Sequence, residues 1–162
     1  MAKKLYILIR TRPNFIKVTR FKELAANYNF EVKIIHTGQH FDDNMANIFF
    51  DQFNLKPDYF LEVGGMSPNS QVAHIILKLE GLFHEIGKPD YLMVPGDVNS
   101  TLAGAIAANK MEVKLIHLES GLRSFDKKMP EEHNRIVADN LAQICMVTEP
   151  SGLENIKNEN IQ

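Results

Sequence analysis

Short apolar runs of strand length alternate along this chain with longer stretches in which apolar residues recur every three or four positions. That alternation is the pattern of βαβ units, in which a parallel sheet is covered by its crossover helices. It predicts strands at 5–9, 31–36, 91–94, 113–118 and 144–147, with a short edge strand at 59–63. A first helix is expected at 14–27, where Phe15, Val18, Phe21, Leu24 and Ala25 keep helical spacing. A second is expected at 43–50. A long one at 70–86 carries Val72, Ile75, Ile76, Leu79, Leu82 and Phe83 on one face and stops at Gly87-Lys88-Pro89. The small-residue segment 102–109 (LAGAIAAN) predicts a helix that packs close to the sheet, followed by helices at 131–141 and from 151. The polar end, 157–162, reads as the start of a linker, so one domain is expected over 1–155 and a connecting segment over 156–162.

Composition changes this picture little. The 162 residues are 44% hydrophobic and 23% charged with a net charge of −2, values of an ordinary globular domain. Nothing in that balance favours nucleic acid or an anionic membrane surface. No apolar run approaches the ~20 residues of a membrane span, and the start, MAKKLYILIR, reads as a first strand rather than a signal peptide. The single Cys145 cannot form an internal disulfide, which fits a cytoplasmic protein, and its apolar neighbours make it a buried structural thiol.

Chemistry-bearing residues gather in the loops that follow strands: Arg12, His36, His40, Asp97, Glu119, Arg123 and Asp126, with Glu131 and Arg135 on the helix behind the last loop. Handedness of βαβ units puts all these loops on one edge of the sheet, where helix N-termini also present free N–H groups. Charge of both signs there suits a diphosphate held by arginines while carboxylates move protons. Each residue also has a plainer reading. Glu131 and Glu132 follow Pro130 and suit a helix first turn, and Arg135 and Asp139 are spaced as a surface pair. Asp97 could cap the helix after it, although Asn99 and Ser100 stand nearer. His36 and His117 suit a core, and His74 and His84 a helix surface. No metal-ligand spacing such as HxxxH occurs, so neither metal nor cofactor is expected; GxGxxG, GxxxxGK[ST] and GxSxG are also missing.

Five segments occur in order: TRPNFIK (11–17), TGQH (37–40), PGDVNSTLA (95–103), HLESGLRS (117–124) and MPEEHNRI (129–136). Together they resemble the N-terminal domain of the non-hydrolysing UDP-N-acetylglucosamine 2-epimerase family, a resemblance running from about residue 5 to 153. It implies a Rossmann-like α/β domain, a parallel sheet with helices on both faces, as the N-terminal half of a GT-B-type fold. The substrate then lies between this half and a C-terminal nucleotide-binding domain that this chain does not contain. It also implies inversion at C2 of a UDP-linked N-acetylamino sugar for polysaccharide precursors, and a homodimer. By motif, Asp97, Glu119 and Glu131 become the catalytic acids and bases and Arg12 a ligand of the diphosphate, with His40, Arg123 and Arg135 as further substrate-binding candidates. A single such domain is expected to be inactive alone. A GT-B glycosyltransferase domain and a stand-alone, non-catalytic binding module are the alternatives. Two positions depart from the family: Arg10 stands where Gly or Ala is usual, either crowding the turn or adding a contact, and Ser120 stands where Ala is usual.

Overall fold

The computed structural model describes residues 2–38 and 55–161. The helix expected at 43–50 and His40 lie outside them. Among the described residues are strands β1 (Lys3–Ile9), β2 (Phe30–His36), β3 (Tyr59–Phe60), β4 (Tyr91–Pro95), β5 (Lys114–Leu118) and β6 (Ile144–Met146). The helices are α1 (Arg12–Val18), α2 (Phe21–Ala25), α3 (Pro68–Ile86), α4 (Asn99–Lys110), α5 (Pro130–Leu141) and α6 (Pro150–Asn158). The strands form one sheet in the order β3-β2-β1-β4-β5-β6, every pairing parallel. The order reverses between β1 and β4, and the crevice outside the carboxyl ends at such a reversal is where Rossmann-like sheets bind ligands.

Alternation along β1 builds the two faces of the core. Tyr6 and Leu8 pack with Ile75, Leu79 and Phe83 of α3 and with the alanines of α4. Leu5, Ile7 and Ile9 pack on the other face with Phe15 and Val18 of α1. α4 lies close to the sheet because its facing residues are small: a Cβ on Gly104 would sit 2.7 Å from a Val94 methyl and 2.8 Å from one of Leu8.

Three elements differ from expectation. The helix expected at 14–27 is two short ones; Thr19 Oγ1 donates to the Ile16 carbonyl at 3.2 Å, a side-chain bond that competes with the helical ladder, and the chain breaks there. β3 is only two residues long because Glu62 turns the backbone into the left-handed region, φ 54°. Cys145 is half-buried rather than enclosed, and desolvation pushes its thiol pKa up.

The end of β5 is fastened to α5 and α6 by a close approach and by buried charge. Gly121, at φ +81°, leaves no room for a side chain: a Cβ there would lie 2.2 Å from the Gly152 carbonyl oxygen. Asn155 Nδ2 donates to the Gly121 carbonyl at 2.8 Å. Asp139 of α5 is fully buried and accepts from His117 Nδ1 at 2.5 Å, Arg123 Nη1 at 2.7 Å and the Gly121 N–H at 3.1 Å. Arg123 in turn grips Glu159 through Nε at 2.8 Å and Nη2 at 2.6 Å. Ile156 is buried as well, so the chain through Glu159 is packed onto the domain. Burial alone would raise the Asp139 pKa; hydrogen bonds and charge from His117 and Arg123 outweigh it and hold the carboxyl below its ordinary value.

Gly121→Ala is expected to destabilise the protein by about 2–4 kcal/mol through overpacking and left-handed strain, read by chemical denaturation; a loss under about 0.5 kcal/mol contradicts the close approach. Asp139→Asn is expected to cost about 3–5 kcal/mol at pH 7, because it breaks a fully buried ion pair and leaves the Arg123 guanidinium to Glu159 alone. A depressed carboxyl pKa stabilises above the unfolded-state value, about 3.9, and that stability is lost as pH falls through the folded-state value. The gap between wild type and Asp139→Asn should therefore narrow below about pH 4 in denaturation curves.

Candidate active site

The β1–α1 turn is shaped by Asn14, a buried residue in the first turn of α1. Its Oδ1 accepts from the Arg10 N–H at 3.4 Å, the Thr11 N–H at 3.2 Å and the Thr11 hydroxyl at 3.0 Å, while Nδ2 reaches the Pro95 carbonyl at 3.4 Å. One amide thus staples the two strand ends at the point of reversal. Arg12 opens α1 and is exposed. Arg10 makes an added contact: its guanidinium donates to the Val63 carbonyl at 2.9 Å and to Thr37 Oγ1 at 3.4 Å, joining the residue after β2 to the segment after β3. Ser120 is buried and donates to the His117 carbonyl at 2.6 Å. His36 and His117 are both buried at the ends of their strands, as expected of core histidines, and His74 and His84 are exposed on α3.

After β4 the chain turns at Gly96, φ +70°, and presents Asp97. The Asp97 carboxylate is ion-paired with Arg135 Nη2, and its carbonyl accepts from Asn134 Nδ2 at 2.7 Å. Asp97 caps nothing; Val98 stands at the N-cap of α4. After β5, Glu119 is held at φ 71°, unusual for a residue with a side chain and a kind of strain that gathers at functional sites. Its carboxylate accepts from Lys17 Nζ at 2.6 Å. A Cβ on Gly96 would lie 3.6 Å from Glu119 Oε2, 3.7 Å from Asn14 Nδ2 and 3.8 Å from Lys17 Nζ. Two carboxylate–cation pairs, Asp97–Arg135 and Glu119–Lys17, therefore flank one glycine at the carboxyl edge. Both are partly open, with side-chain exposures between 17% and 30%.

The remaining candidates fall differently. Glu131 is exposed on the first turn of α5. Glu132 beside it is buried and accepts from the Ser124 N–H at 2.9 Å, the Ser124 hydroxyl at 3.0 Å, the Phe125 N–H at 3.0 Å and Arg135 Nη1 at 3.0 Å. Burial pushes its pKa up, and these donors together bring it below the usual carboxylate range. It pins the loop that leads into α5. Arg123, expected to bind substrate, is committed elsewhere: its side chain is 1% exposed and its fork is filled by Asp139, Glu159 and the Leu122 carbonyl. Those two carboxylates outweigh desolvation and raise its pKa, so it serves as a buried structural cation. Asp126 is exposed and accepts from the Lys128 N–H in a local turn.

Arg135 and Asp139 are not the surface pair their spacing allows; each turns inward to a different partner. Lys17 and Asn134 also belong to the site, although both lie within helices rather than in the loops that follow strands. Lys17 is three residues beyond Asn14 and so shares its helix face, and Asn134 adjoins Arg135. A cavity of about 470 Å³ opens beside Arg135, between Leu122, Phe125 and the first turn of α6. Among the described residues no cluster of His, Cys, Asp and Glu could hold a metal, and no helix is long and apolar enough to cross a membrane.

A family model described as UDP-N-acetylglucosamine 2-epimerase matches residues 22–162. A UDP-N-acetylglucosamine 2-epimerase of Methanococcus maripaludis is 41% identical over 160 residues, covering 98% of this chain and 43% of that protein. The UDP-2,3-diacetamido-2,3-dideoxy-D-glucuronate 2-epimerase of Pseudomonas aeruginosa is 40% identical over 161 residues, covering 98% and 45%. The crystal structure of the Methanocaldococcus jannaschii UDP-GlcNAc 2-epimerase in complex with UDP-GlcNAc and UDP superposes with a TM-score of 0.91 at 36% identity, covering 98% of this chain and 44% of that one. The chain thus spans less than half the length of these relatives and matches their N-terminal part. With its sheet order and the paired carboxylates at the reversal point, it belongs to the UDP-N-acetylglucosamine 2-epimerase family.

Proposed function

We propose that this chain is the N-terminal half of an isomerase that inverts C2 of a UDP-linked 2-acetamido sugar by eliminating UDP and adding it back. The observation that carries this reading is the pair of carboxylate–cation couples flanking Gly96 at the carboxyl edge. The two relatives above differ in their sugar and share inversion at C2, which supports a 2-acetamido UDP-sugar as the substrate class.

The C2 hydrogen of such a sugar has no adjacent carbonyl to acidify it. Rupture of the C1–O bond to UDP places positive charge at C1, and loss of the C2 proton then leaves a glycal and free UDP. Re-addition of UDP at C1, with a proton delivered to the opposite face of C2, completes inversion with no net oxidation. The reaction needs acid–base groups on both faces and cationic or N–H partners for the departing diphosphate. Asp97, Glu119 and Glu131 are the proposed acids and bases. Lys17 and Arg135 sit beside two of them, so charge that develops on proton transfer has a neighbour to balance it. Arg12, at the N-terminus of α1, is the proposed diphosphate ligand, with His40 and Arg135 as further substrate contacts. A C-terminal domain supplies the other wall of the cleft, through a connection that follows Glu159, and the protein acts as a cytoplasmic homodimer making polysaccharide precursors.

In the full-length protein, Asp97→Asn and Glu119→Gln should each lower kcat by about 10²-fold or more, the range of a lost general acid or base. The melting temperature should stay nearly constant, because partly exposed pairs contribute about 1 kcal/mol or less. Steady-state assays with UDP-GlcNAc and with its 2,3-diacetamido uronate analogue measure this; epimerisation retained by both variants would remove the two carboxylates from the mechanism.

A further inference from the structure

We infer that His117 is a positioning residue for Asp97, acting through the Gly96 carbonyl without touching substrate; this rests on the proposed C2 epimerisation. His117 is fully buried. Its Nε2 lies 2.7 Å from the Gly96 carbonyl, which can only accept, and its Nδ1 lies 2.5 Å from the Asp139 carboxylate.

The geometry explains why Asp97 needs such a support. It follows a glycine in the left-handed region, and glycine alone holds no backbone direction. Rotation of the Gly96–Asp97 peptide would redirect the Asp97 side chain. Both polar groups of Gly96 are tied to β5: its N–H donates to the Leu118 carbonyl at 2.9 Å, and its carbonyl accepts from His117. α5 then fixes the turn at three points. Arg135 holds the Asp97 carboxylate, Asn134 holds the Asp97 carbonyl, and Asp139 holds the Gly96 carbonyl by way of the His117 ring. Asp139 is itself fixed by Arg123, whose fork closes on Glu159 at the end of α6. A series of buried contacts thus runs from α6 to the peptide that aims Asp97. A histidine present only to fill space would not need its Nε2 on the one carbonyl whose rotation matters.

Two substitutions separate positioning from filling. Glutamine places an amide N–H near the Nε2 position and can keep the bond to Gly96; asparagine reaches only the Nδ1 position and can keep Asp139 alone. In the full-length protein, His117→Asn is expected to lose about 10²-fold in kcat with KM nearly unchanged, whereas His117→Gln should stay within about fivefold of wild type. Equal losses in the two variants, or wild-type kcat in His117→Asn, overturn the inference. Failure of the epimerase reading itself is told apart by the wild-type full-length protein, whose lack of turnover indicts that reading, while activity retained by Asp97→Asn removes Asp97 from the mechanism. A third measurement needs neither substrate nor a folded variant. In ¹⁵N-edited NMR of the wild-type protein, the His117 Nε2 proton should be observed and protected from solvent exchange, and a rapidly exchanging or missing proton overturns the proposal.

Discussion

The carboxylate of Asp139 is the group on which the β5–α6 side of the sheet depends. A buried charge without partners costs several kcal/mol, so the fold must bring donors to it. They come from three directions: the ring of His117 at the end of β5, the guanidinium of Arg123 in the loop, and the N–H of Gly121 where that loop meets α6. Meeting that one requirement sets α5 against β5, closes α6 over the Gly121 turn, and aligns Asn134 and Arg135 with the strand end that bears Asp97.

Ion pairs around the site fall into two kinds by exposure. Those centred on Asp139 and Arg123 are dry on the inside, with 0–1% of those two side chains accessible, and breaking one leaves an uncompensated charge. Asp97–Arg135 and Glu119–Lys17 are partly wet, and pairs of that kind stabilise by about 1 kcal/mol or less. Groups held so weakly can exchange partners with an arriving substrate at little cost. Glu132 is the hinge between the kinds: buried itself, it holds the loop through Ser124 and Phe125 and lends Arg135 a second carboxylate.

Strand alternation and the βα order made the architecture legible, because Leu5, Ile7 and Ile9 against Tyr6 and Leu8 can be satisfied only by a sheet buried on both faces. The loops bearing Asp97, Glu119 and Arg12 were legible for the same reason: topology alone puts them on one edge. What spacing did not convey was direction. Arg135 and Asp139 share a helix face, but four residues of separation do not say whether that face meets water or β5. Arg123 looked like an anion ligand because its loop is at the right edge, yet Glu159, thirty-six residues later, claims it. Lys17 was hidden within a helix whose apolar pattern drew the reading. Thr19, whose hydroxyl breaks that helix, left no mark in hydrophobic periodicity.

The central claim is that these carboxylates move a proton at C2 while UDP departs and returns. The most direct measurement is turnover of UDP-GlcNAc by the full-length protein in D₂O, followed by NMR and mass analysis of the manno product. The account predicts one deuterium per product molecule, located at C2, with free UDP and a glycal detectable as minor species. A product that keeps its original C2 hydrogen would contradict it, since the proton would then never have passed through an exchangeable acid on the protein.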